Sequence, residues 1–304
     1  MSLIKDLIII GGGPAGITAA IYAARKRLNF CLLTREVGGQ TAWTSNVENY
    51  TGYQIISGPD LVKKFYDQLK TYKIDLREGQ EVKSVGKNAG IFTVKTAKDE
   101  ELQTKTIVLA SGKYPRRLGV PGEAKFSNKG VAICATCDGP MFADKNVAII
   151  GGGNSALDAA LQMIKIAAKV YLITVNDDLK GDPVMIEKVK TAENMEILTK
   201  TKTLEILGDK FVKAIKIEEK GGIRDLVVEG IFVEIGLVPN AKFIDFLEKN
   251  DQGEIIVNCF METSEPGIFA AGDVTQVPDK QIIIAAGDGA KACLRAFRYL
   301  STHR

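Results

Sequence analysis

Histidine is nearly absent from this chain of 304 residues, because His303 is its one histidine. A Ser-His-Asp hydrolase, a Cys-His protease and most zinc hydrolases need an imidazole among their reacting groups. A histidine at the second-last position is a poor candidate for that role. The scarcity of histidine therefore disfavours the common hydrolytic sites.

Net charge is small and long apolar runs are missing. Lysine and arginine number 40 against 37 aspartates and glutamates, so charge gives no reason to propose nucleic acid or a membrane as a partner. The first apolar run, residues 7–10, is too short for a signal-peptide core or a membrane span. We expect a cytoplasmic protein, and the chain length favours two domains.

Cysteine is also sparse, but two of the five cysteines form a motif. Cys134 and Cys137 make a Cys-x-x-Cys pair, and Asp138 follows directly. Such a pair is short enough to close a disulfide on one turn and often contains a thiol of lowered pKa that exchanges rapidly. Asp138 could protonate a leaving thiolate or deprotonate an attacking thiol.

The cysteine pair has two other interpretations. Zinc needs about four nitrogen or sulfur ligands, and the other cysteines are scattered in apolar patterns typical of core residues, at Cys31, Cys259 and Cys293. We therefore expect no metal site. A purely structural disulfide is typical of small secreted proteins, so redox chemistry is the favoured interpretation.

Residues 5–34 follow the order strand, glycine turn, helix and strand. The turn contains the G-x-G-x-x-G dinucleotide fingerprint in the setting that it requires. Gly11 allows a tight turn, Gly13 lets the backbone approach a pyrophosphate, and Gly16 allows close packing of helix on strand. The helix N-terminus then faces the anion.

An internal repeat contains a second fingerprint. Residues 147–174 repeat the pattern of residues 7–34 at a constant offset of 140. The second turn is the G-x-G-x-x-A variant, with Gly151, Gly153 and Ala156. Two such units predict two bound dinucleotides. The alternative is that the second copy keeps the fold without a ligand.

The residue that ends each second strand bears on which dinucleotide binds. An acid there bonds a ribose hydroxyl, whereas an arginine accommodates a 2′-phosphate. Thr34 and Thr174 stand at these positions, and the second is followed by Val175-Asn176-Asp177-Asp178 before any basic residue. This pattern disfavours a 2′-phosphate, so NADH is favoured over NADPH.

The remaining periodicities predict an α/β protein. Helices are predicted over 17–25, 59–72, 183–190 and 282–300, and strands over 7–10, 81–85, 91–96, 107–112, 195–199, 203–207, 211–218, 225–235 and 267–273. Linker composition occurs at 113–122 and 239–245. Arg116 and Arg117 are interpreted as a solvated face rather than a phosphate site. Asp273 is predicted either to bind a ribityl hydroxyl or to cap a helix.

Together these motifs resemble the low-molecular-weight thioredoxin reductases over essentially the whole chain, and more closely the reductase core of the alkyl hydroperoxide reductase flavoproteins. The second resemblance rests on Cys-Asp-Gly-Pro at 137–140 and on residues 230–240 and 280–284. It implies two Rossmann-like dinucleotide-binding domains, the second inserted into the first. The implied FAD domain covers 1–114 and 243–304, and the implied nicotinamide domain with the cysteine pair covers 115–242.

The resemblance also implies roles for individual residues. Cys137 would face the flavin, Cys134 would attack the disulfide of a protein substrate, and Asp138 would serve as acid and base. FAD would be held by Gly11, Gly13, Ala15, Gly16, Glu36, Gly39, Gln40, Asn49, Gly272, Asp273, Gln281 and Ile282. The nicotinamide dinucleotide would be held by Gly151, Gly153, Asn154, Ser155 and Ala156. The family works as homodimers that rotate one domain against the other.

We therefore expect a disulfide reductase that passes electrons from NADH or NADPH through FAD and the cysteine pair to a thioredoxin- or glutaredoxin-like protein. The reductases that use NADPH carry a His-Arg-Arg cluster where this chain has Thr174-Val175-Asn176. The hydroperoxide reductase flavoproteins carry an N-terminal pair of thioredoxin-like folds, whereas the FAD unit here starts at residue 5. One alternative is a ferredoxin or deazaflavin donor with a vestigial nicotinamide site. Another is a redox-sensing flavoprotein without turnover, which would have little use for Asp138.

Overall fold

The chain forms two compact units, one of residues 1–114 and 238–304 and the other of residues 115–237. The structure is a computed structural model that describes residues 4–43, 47, 49–133 and 135–303. The chain thus enters the second unit at 114/115 and leaves it at 237/238. The domain division implied by the resemblance has the return after residue 242 instead, within the linker composition of residues 239–245.

Segments in which strands and helices alternate are separated by runs of consecutive strands. The strands are β1 (Lys5–Ile10), β2 (Phe30–Leu33), β3 (Asp75–Arg77), β4 (Val82–Asn88), β5 (Ile91–Thr96), β6 (Glu101–Leu109), β7 (Lys113–Pro115), β8 (Val131–Ala132), β9 (Asn146–Ile150), β10 (Lys169–Ile173), β11 (Met195–Leu198), β12 (Lys202–Gly208), β13 (Val212–Glu219), β14 (Gly222–Val227), β15 (Gly230–Val233), β16 (Leu237–Pro239) and β17 (Ile268–Ala270). The helices are α1 (Pro14–Arg25), α2 (Gly58–Lys70), α3 (Ala135–Asp138), α4 (Asn154–Met163), α5 (Pro183–Lys190) and α6 (Ile282–Thr302), with 3-10 turns at Gly39–Trp43, Gly139–Phe142 and Gly272–Val274. None of the helices in the described part of the chain is both long and apolar enough to cross a membrane.

The sheet of the first unit has the order β3-β2-β1-β6-β5-β4, and β17 also pairs with β6. The first half of β6 pairs antiparallel with β5, and its second half pairs parallel with β17. Side chains of residues 101–105 alternate between exposed and buried, whereas those of residues 106–109 are all buried. Alternation is typical of an antiparallel strand with one solvated face, and a continuous apolar run is typical of a parallel strand covered on both faces.

The second unit has a parallel sheet of order β11-β10-β9-β15-β8 and a separate antiparallel sheet of order β12-β13-β14. Its core has two layers. Alternate residues of β15 divide between them, because Phe232 packs with the side chains of α4, whereas Ile231 and Val233 pack with those of the antiparallel sheet. Helices therefore cover one face of the parallel sheet and the antiparallel sheet covers the other.

The internal repeat is also a repeat of structure. The segment β1-α1-β2 in the first unit corresponds to β9-α4-β10 in the second. The first glycine of each turn makes the same backbone bond, from Gly11 N to Leu33 O at 2.8 Å and from Gly151 N to Ile173 O at 2.9 Å. The predicted α/β fold with two Rossmann-like domains is confirmed.

The predicted strand over 225–235 is wrong, because two strands of different sheets cover this run. β14 is an edge of the antiparallel sheet, whereas β15 lies between β9 and β8. The chain changes sheets at Val228 and Glu229. Gly230 then passes so close to Phe142 that a Cβ would lie 2.4 Å from the ring. A mainly apolar run does not reveal such a change of partner.

Candidate dinucleotide and redox sites

Two close backbone approaches shape the first glycine turn. Gly11 has a φ of +113°, and a Cβ there would lie 2.2 Å from the Ala110 carbonyl oxygen. A Cβ at Gly16 would lie 1.8 Å from the Gly11 carbonyl oxygen. Apart from its chain neighbours, no described residue has an atom within 4 Å of the Cβ position at Gly13. Two glycines therefore let the chain close on itself, and the third leaves room for a ligand.

The N-terminus of α1 lies at this first glycine turn. Its cap residue is Gly13, which offers no side-chain bond to the N–H groups of the first turn, and no acid stands in that turn. Free N–H groups and the helix dipole favour an anion. The turn therefore fits the pyrophosphate of a dinucleotide.

Distant segments of the chain meet around this turn. A Cβ at Gly39 would lie 3.4 Å from the Gly13 Cα, and a Cβ at Gly272 would lie 3.1 Å from the Ala15 Cβ. α6 packs directly on α1, since a Cβ at Gly289 would lie 2.0 Å from the Ala15 carbonyl oxygen. The structure thus brings together predicted flavin residues from the beginning and the end of the chain.

Two hydrogen bonds connect further predicted flavin residues. Asn49 Nδ2 donates to Gln281 Oε1 at 2.9 Å, and Gln40 Nε2 donates to the Lys113 carbonyl oxygen at 3.3 Å. Gln281 is the cap residue of α6, and Ile282 is its first residue. The start of α6 is therefore tied to the loop that carries Asn49.

Two aspartates beside these elements are suited to accept hydrogen bonds. Asp273 lies in the 3-10 turn after β17 rather than at the cap of α6, and burial raises its pKa although Lys280 and Lys113 oppose that shift. Asp288 on α6 is 4% exposed, and its Oδ2 has no partner within the part of the chain that the structure describes. A buried acceptor without a donor fits a ligand with hydroxyl groups, such as a ribityl chain.

Sequence reasoning missed a buried charge cluster in the same unit. Glu254 accepts from Lys113 at 2.7 Å, from Lys280 at 3.0 Å and from Asn250 at 2.7 Å. Burial alone would raise the pKa of Glu254, but these three donors lower it to about 2. The pairing joins β7 to the segment before α6. The one signal of this charge cluster in the sequence is that Lys280 precedes Gln281, a predicted flavin residue.

The second glycine turn has the same design. Gly151 has a φ of +149°, and a Cβ there would lie 2.1 Å from the Glu234 carbonyl oxygen. Around the Cβ position of Gly153, the Lys180 carbonyl oxygen is the only atom of a described residue, chain neighbours aside, within 4 Å, and it lies at 3.7 Å. Gly153 is the cap of α4 and makes no side-chain bond. This turn also fits a pyrophosphate. Ala156 is buried behind it.

The other residues predicted for the nicotinamide dinucleotide lie at the start of α4. Asn154 and Ser155 are exposed. The Asn154 Oδ1 accepts from the Asp182 backbone N–H at 2.7 Å, which ties the loop after β10 to this helix. Ser155 is therefore the residue of the pair whose side chain is free of bonds within the described structure, and it is the better placed to contact a ligand.

The two threonines at the strand ends face inward. The Thr34 Oγ1 lies 2.5 Å from the Cβ position of Gly12, and the Thr174 Oγ1 lies 2.6 Å from that of Gly152. Both side chains are buried beneath their glycine turns. They fill the inside of each turn, so a bound ribose would contact the exposed residues that follow them. Val175, which follows Thr174, is 69% exposed.

The redox motif lies between β8 and β9. Cys134 is outside the described residues, and so is the side chain of Cys137, which lies in α3. Asp138 ends α3 and is half-buried, and burial raises its pKa. A carboxyl group whose pKa is raised holds its proton closer to neutral pH, as a proton donor to a thiolate must.

The remaining cysteines divide into two kinds. Cys31 and Cys293 are buried, and burial raises the pKa of each thiol to about 12, so neither supplies a thiolate near neutral pH. Cys259 is exposed, and its predicted place in the core is wrong. It stands in a turn in which Asn258 Oδ1 accepts from the backbone N–H groups of Phe260 and Glu262. The apolar residues before Cys259 do not reveal that turn.

A comparison with known proteins shows the family of this chain. The family described as pyridine nucleotide-disulphide oxidoreductase matches residues 5–289. The chain belongs to this family. Among its relatives in the family, an alkyl hydroperoxide reductase subunit of Pseudomonas aeruginosa is 42% identical over 302 residues, which cover 97% of this chain and 58% of the relative. A Bacillus subtilis protein named NADH dehydrogenase is 40% identical over 298 residues, which cover 97% of this chain and 58% of the relative.

A solved family member has nearly the same extent as this chain. The crystal structure of Lactococcus lactis thioredoxin reductase is 34% identical with a TM-score of 0.83, over 98% of this chain and 99% of the other. By contrast, the chain spans less than two thirds of the length of the curated relatives it matches.

Proposed function

We propose that this oxidoreductase reduces a protein disulfide, with electrons that pass from NADH through FAD to Cys134 and Cys137. The observation that carries the proposal is the pair of glycine turns, one in each unit, with free space at Gly13 and Gly153. The second of these units also contains the cysteine motif. Two dinucleotides and one cysteine pair are the components that an electron path from a nicotinamide to a disulfide requires.

FAD would be held in the first unit. Gly13 and the N-terminus of α1 would bind its pyrophosphate, and Asp273 and Asp288 would accept from its hydroxyl groups. The bond between Asn49 and Gln281 fixes the start of α6 beside them. When bound, FAD supplies hydride and electron transfer that no side chain can perform. The predicted domain of residues 1–114 and 243–304 is proposed as the FAD domain on this ground.

The cysteine pair would then act by thiol-disulfide exchange. The Cys134 thiolate attacks one sulfur of the substrate disulfide, and the other substrate sulfur leaves as a thiolate. Cys137 attacks the mixed disulfide, so one disulfide forms in the enzyme for each one that breaks in the substrate. Asp138 takes the proton of an attacking thiol or gives one to the leaving thiolate. The raised pKa of Asp138 suits both steps.

NADH is the proposed donor because the loop after β10 disfavours a 2′-phosphate. Residues 174–180 contain no arginine. The nearby Lys200 pairs with Asp177 at 3.4 Å, so its charge is already matched by a carboxylate. An acidic surface of this kind suits a ribose hydroxyl better than a phosphate. The Bacillus subtilis relative named NADH dehydrogenase supports the same donor.

The acceptor is proposed to be a small thioredoxin- or glutaredoxin-like protein. One disulfide must reach both a bound flavin and a bulky protein, which requires movement between the two units. The two segments that connect the units, β7 and β16, pair with one another and are the natural place for a rotation. A cytoplasmic homodimer is proposed from the resemblance to the thioredoxin reductases.

An anaerobic titration of the yellow protein with NADH and separately with NADPH tests the donor. We expect rapid bleaching of the flavin by NADH and slower bleaching by NADPH. Faster bleaching by NADPH would contradict the argument from the loop after β10. No bleaching by either would favour a ferredoxin or deazaflavin donor.

A cysteine variant tests the disulfide chemistry separately. Cys134→Ser should leave the reduction of the flavin by NADH intact and abolish the reduction of an oxidised thioredoxin. Turnover of that thioredoxin at the wild-type rate would contradict the proposed path. A Cys259→Ser variant serves as the matched control, since Cys259 is exposed and lies in the other unit.

A further inference from the structure

Glu234 stands at the carboxyl end of a central strand of the parallel sheet in the second unit. It follows β15, and its N–H donates to the Ile150 carbonyl oxygen at 2.8 Å. Its own carbonyl oxygen is the atom that a Cβ at Gly151 would meet at 2.1 Å. The main chain of Glu234 therefore lies directly against the first glycine of the second dinucleotide fingerprint.

The side chain of Glu234 belongs to the helix-covered face of this sheet. Phe232 packs with the side chains of α4, and Val233 packs with those of the antiparallel sheet. Because side chains alternate along a strand, Glu234 points to the same face as Phe232. The first turn of α4 on that face contains the predicted ligand residues Asn154 and Ser155.

No cation compensates the carboxyl group of Glu234 within the described residues. β9 and β8, the strands on either side of β15, contain no charged residue, and the first turn of α4 contains no acid. The charged group that acts on Glu234 is another acid, Asp158 on α4. Burial, and next the charge of Asp158, raise the pKa of Glu234 to about 7. Asp138 is another acid of this unit whose pKa burial raises.

Dinucleotides bind outside the carboxyl ends of the strands in parallel sheets, where Glu234 stands. We propose that Glu234 makes the affinity of the second unit for nicotinamide dinucleotides depend on pH. The neutral acid allows the negatively charged pyrophosphate to bind beside it, whereas the carboxylate repels the pyrophosphate. This inference rests on the proposed function, since it takes the second fingerprint as a working site. It adds a residue that tunes how tightly the donor binds.

Equilibrium binding to the oxidised holoprotein tests this role without turnover. The probes are NAD⁺ and ADP-ribose, which share the pyrophosphate and do not reduce the flavin, and calorimetry measures their Kd at pH 6 and pH 8. At pH 8 an acid with a pKa of about 7 is protonated in about one molecule in ten. If the neutral form alone binds well, Kd for both probes should rise about tenfold between pH 6 and pH 8.

Three variants assign the effect to Glu234. Glu234→Gln should bind both probes at pH 8 about as tightly as the wild type does at pH 6. Asp158→Asn should keep the pH dependence but move its midpoint to lower pH, because one negative charge beside Glu234 is removed. The matched control is Glu229→Gln, since Glu229 is exposed just before the other end of the same strand. It should behave as the wild type.

The outcomes separate this inference from the proposed function. Binding with the same Kd at both pH values, or a pH dependence that persists in Glu234→Gln, would overturn the role of Glu234 and leave the nicotinamide donor standing. A pH dependence for NAD⁺ but not for ADP-ribose would also overturn it, because the pyrophosphate is common to both. Failure of both probes to bind at every pH would overturn the donor and this role together.

Discussion

The two glycine turns repeat one backbone design, but their surroundings differ. Distant segments surround the first turn, with Gly39 and Gly272 packed against it and α6 lying on α1. The second turn is bordered by its own loop, through Lys180 and the bond between Asn154 and Asp182, and by one distant residue, Glu234. A ligand that many segments surround leaves slowly, and one that few segments surround exchanges easily. The contrast suits a resident FAD in the first unit and a donor that must enter and leave in the second.

The largest expected effect tests how close the helix lies to each turn. Gly16→Ala places a Cβ 1.8 Å from the Gly11 carbonyl oxygen, so the backbone must shift. We expect loss of flavin and a loss of about 3 kcal/mol in the free energy of unfolding. Ala156 holds the corresponding position in the second turn, and Ala156→Gly should cost only about 1 kcal/mol. Flavin absorbance and urea denaturation measure both. Retention of flavin in Gly16→Ala would show that α1 is less tightly constrained than the geometry indicates.

The next pair of variants separates folding from ligand binding. Among the described residues, chain neighbours aside, a Cβ at Gly13 meets no atom within 4 Å and one at Gly153 meets a single atom at 3.7 Å. We therefore expect Gly13→Ala to fold but to lose FAD, and Gly153→Ala to keep FAD but to bind NAD⁺ at least about tenfold more weakly. Flavin content and calorimetry with NAD⁺ provide the measurements. A common loss of both ligands in either variant would contradict the assignment of one ligand to each unit.

The charge cluster around Glu254 tests how far the first site depends on its distant segments. The folded-state pKa of Glu254, about 2, lies below its ordinary value of 4.5. Its stabilising contribution is therefore present above pH 4.5 and is lost as the pH falls toward about 2. Glu254→Gln should lower the free energy of unfolding by about 3 kcal/mol at pH 7. Glu248→Gln, at an exposed position nearby, is the control.

Acid denaturation checks the sign of that contribution. The difference between the wild type and Glu254→Gln, followed by fluorescence in urea, should shrink steadily below pH 4.5. A difference that stays constant down to pH 3 would mean that Glu254 acts through packing rather than through charge.

The smallest expected effect concerns the two threonines beneath the turns. Thr34 Oγ1 donates to the Glu36 carbonyl oxygen at 2.6 Å, whereas Thr174 Oγ1 accepts from the backbone and side-chain N–H groups of Asn176 at 3.3 Å each. Thr34→Val should cost about 1 kcal/mol, and Thr174→Val should cost less because its bonds are longer. Urea denaturation measures both. Equal costs would contradict the view that the shorter hydrogen bond of Thr34 contributes more than the longer ones of Thr174.

The sequence was sufficient for the parts of the fold that depend on local pattern. The glycine turns and their 140-residue offset are visible because spacing alone defines them. The bond between Asn49 and Gln281 joins residues far apart in the sequence, and only the family resemblance pointed to either. Nothing in the spacing of Lys113 and Glu254 indicates their pairing. The sequence does not mark Glu234 as part of a site, because an acid at the end of an apolar run is typical of the start of a solvated loop.

The packing of α6 on α1 determines the order in which the units can be completed during synthesis. The second unit is one continuous segment, residues 115–237, and all its strands have been made when residue 237 leaves the ribosome. The first unit cannot finish its core until Gly289 reaches Ala15. We therefore expect the inserted unit to fold first, while an incomplete sheet waits for its last strand and helix.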